Sequence, residues 1–201
     1  MNFDIKACFT DDLCIEGLFE IQPKIFEDDR GYFLEVYNEK KFLDAGLTMK
    51  FVQDNQSKSA KNVVRGLHFQ KLHPQGKLIK AIDGKVFDVA VDLRFGSKTF
   101  GKHYGVILDD KKQNMFYIPE GFAHGFCVLS ESAVVSYKCT DYYHPEDECG
   151  IKWNSSGLNI KWETYCPGIS DFSILSEKDQ TYSEFDKDNK YYDFSGKWIG
   201  N

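Results

Sequence analysis

Three stretches of the chain set titratable side chains inside otherwise apolar runs. Val63–Lys77 (VVRGLHFQKLHPQGK) carries Arg65, His68, His73 and Lys77. Tyr117–Phe126 carries His124 among small and apolar neighbours, and Ala133–Tyr143 carries Tyr137 on the face shared by Ala133, Val135 and Cys139. An imidazole changes charge near neutral pH, at an ordinary pKa of about 6.5. An inward phenol can hold or return a proton, and an ammonium can neutralise a developing oxyanion. Such a set would equip a closed space for general acid–base catalysis. Each member also fits a plainer part: His68 or His124 as a hydrogen-bonded core residue, Tyr137 as core packing, Arg65 and Lys77 as surface charges. Strict alternation puts Arg65 and His68 on opposite faces of one strand, unless Gly66 between them forms a bulge that re-aims one side chain. A metal site finds little support. His68 and His73 are five apart, His124 lies far downstream, and the chain has no H-x-H pair.

The elements that must position these groups read as short strands. Lys85–Arg94 alternates Phe87, Val89, Val91 and Leu93 with Asp88, Ala90, Asp92 and Arg94, the pattern of a half-buried strand. Asp83-Gly84 ahead of it is a hairpin turn signal. Further strands are expected at Asn62–Phe69, Leu78–Ile82, Gly101–Leu108, Asn114–Ile118, Gly125–Leu129 and Ala133–Thr140. Many short strands at near-regular spacing predict a sandwich or a closed barrel. Helical signals are few. Asn38–Ala45 reads as one short helix capped by Asn38. Ser176–Phe185 reads as another, with Ser176-x-x-Asp179 resembling a capping box.

The 201 residues suit one domain spanning 1–201. Aromatics at 15% favour strands and stacking sites. A net charge of −6 argues against a nucleic-acid partner, which needs a basic footprint. It leaves room for a locally basic pocket holding one phosphorylated small molecule. No window approaches the roughly 18 apolar residues of a membrane span, and the N-terminus lacks the pattern of a signal peptide. Cys8, Cys14, Cys127, Cys139, Cys149 and Cys166 show no C-x-x-C spacing, so reduced thiols in a cytoplasmic protein are expected.

Taken together, these segments resemble the dTDP-4-dehydrorhamnose 3,5-epimerase family. The resemblance runs from about Ile15 to Asp179 through FEDDRGYFLEVYN, FVQDNQSKS, VVRGLHFQ, QGKLIKAIDGKVFDVAVDLR, FGKHYGVIL, IPEGFAHGF, YKCTDYYHPEDECGIKWN and LSEKD. It implies a mainly β, cupin-like jelly-roll barrel with a few short peripheral helices. It also implies a homodimer in which N-terminal strands within about 1–30 pair with the partner. The implied reaction is epimerisation at C3 and C5 of a nucleotide-linked 4-keto-6-deoxy sugar, without metal or organic cofactor. By resemblance His68 is the base, Asp179 its partner, Tyr137 the acid, and Lys77 the group that holds the developing oxyanion. Arg65 and His124 match residues around the sugar and phosphates. Arg30, Glu35, Gln53, Asn55 and Tyr142 match positions near the nucleotide.

The nucleotide (dTDP, GDP or CDP) and the sugar, hexose or heptose, stay open at this level. A longer N-terminal lead and an Asp-, Lys- and Tyr-rich tail depart from the family pattern. The tail, about 176–201, is expected to pack on the barrel. Alternative readings are a single-centre C3 or C5 epimerase or a 3,4-ketoisomerase on the same scaffold, a metal-dependent cupin, and a non-catalytic sugar-binding jelly roll. A role in surface-polysaccharide synthesis is expected by resemblance alone.

Overall fold

The computed structural model describes residues 3–200; Met1, Asn2 and Asn201, at the ends of the expected 1–201 domain, lie outside the described residues. The chain runs through β1 (Phe3–Thr10), β2 (Leu13–Pro23), β3 (Ile25–Asp28), β4 (Gly31–Leu34), α1 (Glu39–Asp44), β5 (Gln53–Ala60), β6 (Val64–Gln70) and β7 (Lys77–Asp83). It continues through β8 (Lys85–Asp92), β9 (His103–Asp109), β10 (Met115–Ile118), β11 (Phe122–Val128), β12 (Ser132–Cys139), β13 (Glu148–Gly150), α2 (Trp162–Tyr165) and α3 (Ile169–Phe172). Two antiparallel sheets form, ordered β1-β2-β10-β7-β12-β5 and β13-β6-β11-β8-β9. From β5 to β8 the chain changes sheet at every step, the winding of a jelly roll. The fold is the mainly β, cupin-like jelly-roll barrel that the resemblance implies, within the sandwich or closed barrel that the strand pattern predicts.

Alternation builds the core. Ile79, Ala81, Phe116, Ala133 and Val135 from the first sheet meet Val86, Ala90, Leu108, Phe126 and Val128 from the second, all buried between the two layers. The outer face of the second sheet is also covered. Phe87, Val89, Val91 and Leu93 of the β8 segment pack against Trp153, Trp162, Tyr191 and Tyr192 from the C-terminal third of the chain. The outer face of the first sheet is capped by Phe42 of α1 with Leu47.

Three expectations meet the coordinates differently. Lys85–Arg94 is not half-buried, because Val86–Asp92 is buried on both faces. Its polar members point inward and are answered there: Asp88 by His124, and Asp92 by Arg94, Ser97 and Thr99. Asn38 does cap α1, accepting from Lys41 N at 3.1 Å. The helix expected over Ser176–Phe185 is instead a single 3-10 turn at Asp179–Thr181. Ser176 Oγ accepts from Asp179 N at 3.1 Å as a capping residue would. The Asp179 carboxylate, however, is engaged by His68, and by Tyr182 the backbone is already extended. The N-terminal stretch supplies β1, which pairs with β2 of the same chain, and the separate β3–β4 hairpin. No helix among the described residues is long and apolar enough to cross a membrane. The six cysteines are free thiols.

Candidate active site

A cavity of about 390 Å³ opens between the sheets, within the usual range for small-molecule sites. Arg65 and His68 of β6, His124 and Phe126 of β11 and Glu148 of β13 line one side. Gln53, Asn55 and Ser57 of β5, Lys77 of β7 and Tyr137 of β12 line the other. His68 and Tyr137 therefore reach one space from different sheets.

Arg65 and His68 share this space because β6 bulges. In the ladder with β11, His124 is opposite His68 and Phe126 is opposite Arg65, so two residues of β6 face Gly125 alone. Gly66 makes this possible at φ +112°, where a Cβ would lie 2.6 Å from the His124 carbonyl oxygen.

Each cavity imidazole has its own carboxylate. His68 Nε2 lies 2.5 Å from Asp179 Oδ1, and the Asp179 side chain is 4% exposed behind it. Burial pushes the Asp179 carboxyl up. The hydrogen bond and charge of His68, with help from Ser176 and the Gly66 amide, pull it further down, so it sits below its ordinary value. His124 Nε2 lies 2.9 Å from Asp88 Oδ1. Burial raises Asp88 above its ordinary value, against the pull of His124 and Lys77. His73 sits apart. It pairs with Asp147 at 3.2 Å and stacks on His144, pinning the loop after β6. Among the described residues, no three His, Cys, Asp or Glu side chains converge as a metal site would require.

Two further titratable groups, Lys77 and Tyr137, respond to loss of water. Burial lowers Lys77, partly offset by the negative fields of Cys139, Glu120, Asp88 and Glu148. An ammonium with a lowered pKa is a stronger donor to an oxyanion. Burial raises Tyr137, and Arg65 pulls it part of the way back. The phenol is thus protonated at neutral pH, the state an acid needs.

On the β5 side, Gln53 Nε2 donates to Asn55 Oδ1 at 3.1 Å, and Asn55 Nδ2 lies 3.6 Å from Cys139 Sγ. Three further candidates do not line the cavity. Tyr142 is 59% exposed at its edge. Arg30 is exposed on the β3–β4 hairpin, paired with Asp28 at 2.5 Å. Glu35 accepts from Lys41 at 2.7 Å and braces α1. Sequence reasoning passed over Tyr143 and Glu148, which line the cavity and hydrogen-bond to each other. It also passed over Asp88, whose signal was a carboxylate recurring inside an apolar strand.

The sequence profile of the dTDP-4-dehydrorhamnose 3,5-epimerase family matches residues 12–187. The dTDP-4-dehydrorhamnose 3,5-epimerase of Methanothermobacter thermautotrophicus is 47% identical over 178 residues, 89% of this chain and 94% of that one. The Legionella pneumophila dTDP-6-deoxy-D-glucose-3,5-epimerase, crystallised with dTDP-4-keto-L-rhamnose, superposes with a TM-score of 0.82 at 46% identity, covering 90% of this chain and 92% of that one. The dTDP-4-dehydrorhamnose 3,5-epimerase of Elizabethkingia anophelis gives 0.81 at 50% identity over 93% and 99% of the two chains. A profile match over most of the length, with relatives near half identity across nine-tenths of it, shows that this chain belongs to the dTDP-4-dehydrorhamnose 3,5-epimerase family.

Proposed function

We propose that this chain epimerises C3 and C5 of a dTDP-linked 4-keto-6-deoxy sugar by removing and returning protons through an enolate. The observation that carries this reading is that His68 and Tyr137 open onto one cavity from opposite sheets. Inverting a carbon requires a base on one face and an acid on the other.

The C4 ketone acidifies the C–H bonds on either side, because the carbanion delocalises onto oxygen. With Nε2 held by Asp179, His68 takes the proton on Nδ1. Asp179 fixes the tautomer and stabilises the imidazolium. Lys77 donates to the enolate oxygen in a site largely free of water. Tyr137 returns a proton from the opposite face; the His68 imidazolium then gives its proton to solvent, solvent reprotonates the Tyr137 phenolate, and the cycle repeats at the second carbon. A positioned acid or base contributes about 10²–10⁴-fold. Arg65 and His124 hold the sugar and diphosphate, with Asp88 orienting His124. The planar guanidinium suits phosphate oxygens. Gln53, Asn55 and Tyr142 receive the nucleotide at the cavity edge. The dTDP assignment is supported by the ligand bound to the Legionella relative. Every proton in this scheme travels on side chains and solvent, so it calls for neither metal nor organic cofactor.

Arg30 and Glu35 stand outside the cavity of their own chain. In this reading they complete the nucleotide site of a second copy within a homodimer. The setting is cytoplasmic synthesis of sugars for surface polysaccharide.

The test is turnover of dTDP-4-keto-6-deoxyglucose in D₂O followed by NMR. Deuterium at both C3 and C5, with both centres inverted, is expected. Label at one carbon would make this a single-centre epimerase, and migration of the carbonyl to C3 a ketoisomerase. Binding without C–H exchange would overturn the catalytic reading.

A further inference from the structure

Among the described residues, one buried side-chain polar atom lacks a hydrogen-bond partner, the Tyr182 hydroxyl. Tyr182 directly follows the turn that carries Asp179. Its ring stands edge-on to the His68 imidazole, with centroids 5.8 Å apart and planes at 74°. Another part of the ring presses on β13 at Gly150, where an added Cβ would meet ring carbons at 2.3 and 2.5 Å. Gly150 is in register with His68. The ring is therefore packed tightly against strand backbone on one side and the imidazole on the other. It does not line the cavity. Its hydroxyl contributes no bond that would fix it, so packing alone sets its place.

We propose that Tyr182 is a positioning residue whose ring holds the His68 imidazole on Asp179 and keeps water from their hydrogen bond. This rests on the reading of His68 as the base. The charged groups around the imidazole come from several elements. Asp179 and Lys178 approach from the turn, Glu148 from β13, and His124 from β11 with Asp88 behind it. Arg65 shares its strand, and Lys77, Tyr137 and Tyr143 share its cavity. Asp179 is the one bonded to the ring. Removing the Tyr182 ring admits water to a carboxylate that is 4% exposed and weakens its hold on the imidazolium. That loss falls on the imidazolium as it forms, so it enters kcat rather than KM.

The experiment compares wild type, Tyr182→Leu, Tyr182→Phe and His68→Asn, with circular dichroism to establish folding. Tyr182→Leu is expected to lower kcat about five- to tenfold. Its KM stays within about twofold, since the ring does not touch substrate. Tyr182→Phe keeps kcat and KM at their wild-type values and raises Tm, because an unpaired buried hydroxyl is gone. If Tyr182→Leu misfolds, Tyr182→Met carries the same expectation. A folded Leu or Met variant with wild-type kcat, or one whose loss is confined to KM, overturns the proposal. A Phe variant as impaired as Leu does so too. If His68→Asn retains turnover, the base assignment falls and this proposal with it. If His68→Asn is dead while Tyr182→Leu behaves as wild type, only this proposal falls.

Discussion

Asp179→Asn replaces the carboxylate behind His68 with a side chain of the same shape and no charge. In the native site the carboxylate oxygen lies 2.5 Å from His68 Nε2, with side-chain exposures of 4% for Asp179 and 32% for His68. A hydrogen bond to a charged group contributes about 1.5–3 kcal/mol. The partly exposed imidazole screens the pair, so the lower part of that range applies, about 1.5–2 kcal/mol. The stabilisation is realised as the imidazolium forms, so it enters kcat. At roughly 1.4 kcal/mol per factor of ten, kcat should fall about 10–30-fold. KM should stay within about twofold, because the carboxylate sits behind the ring and does not line the cavity. The assay is deuterium wash-in at C3 and C5 under saturating substrate, which reports proton abstraction directly. A wash-in rate within twofold of wild type, or a loss confined to KM, would refute the reasoning.

The same substitution carries a pH signature. The Asp179 carboxyl is held below its ordinary value, so folding favours its ionised form. That contribution is fully present above the unfolded carboxylate pKa of about 3.9 and is lost as pH falls through the lower folded value. Wild type should therefore melt above the Asn variant at neutral pH, with the gap closing as pH drops below about 4. A gap that widens on acidification would reverse the assigned sign.

Two further substitutions probe the scaffold. Gly66→Ala forces a Cβ to within 2.6 Å of the His124 carbonyl and 2.7 Å of the Gly125 Cα, both backbone atoms, at φ +112°. It should cost about 2–4 kcal/mol in denaturant melts and lower kcat by turning His68 out of line; unchanged stability with full activity would remove the bulge from the argument. Arg94→Met leaves Asp92 fully buried without the guanidinium that now holds it through two bonds of 2.9 Å. Stability should fall by about 3–5 kcal/mol while kcat at permissive temperature is kept, and a loss under about 1 kcal/mol would mean that Ser97 and Thr99 suffice.

The barrel strands were legible because alternation survives in them: the run beginning at Lys85 is β8, and the inward face of Tyr137 follows from its neighbours in β12. Alternation says which residues share a face. It does not say what covers the other face. Asp88 and Asp92 therefore looked solvent-bound, although His124 and Arg94 meet them inside. The tail failed for a related reason. Ser176 and Asp179 form the local contact of a helix start, but the carboxylate is held by a strand residue far away in sequence. That tertiary bond outweighs the slight local preference for another helical turn. Tyr143 and Glu148 carried no local signal, because they flank a loop whose course is set by Gln70 and Asp147.

The proposed proton-transfer pair shows why chemistry could be named before geometry. His68 and Tyr137 oppose each other because β6 and β12 belong to different sheets. That opposition follows from the winding, in which successive strands from β5 to β8 cross the barrel, and from one glycine that shifts the pleat at β6. Without the bulge, Arg65 and His68 would face opposite sides of the same sheet, and the cavity would lose one of them. The residue types suggest the reaction, while Gly66 and the crossing order bring them to one cavity.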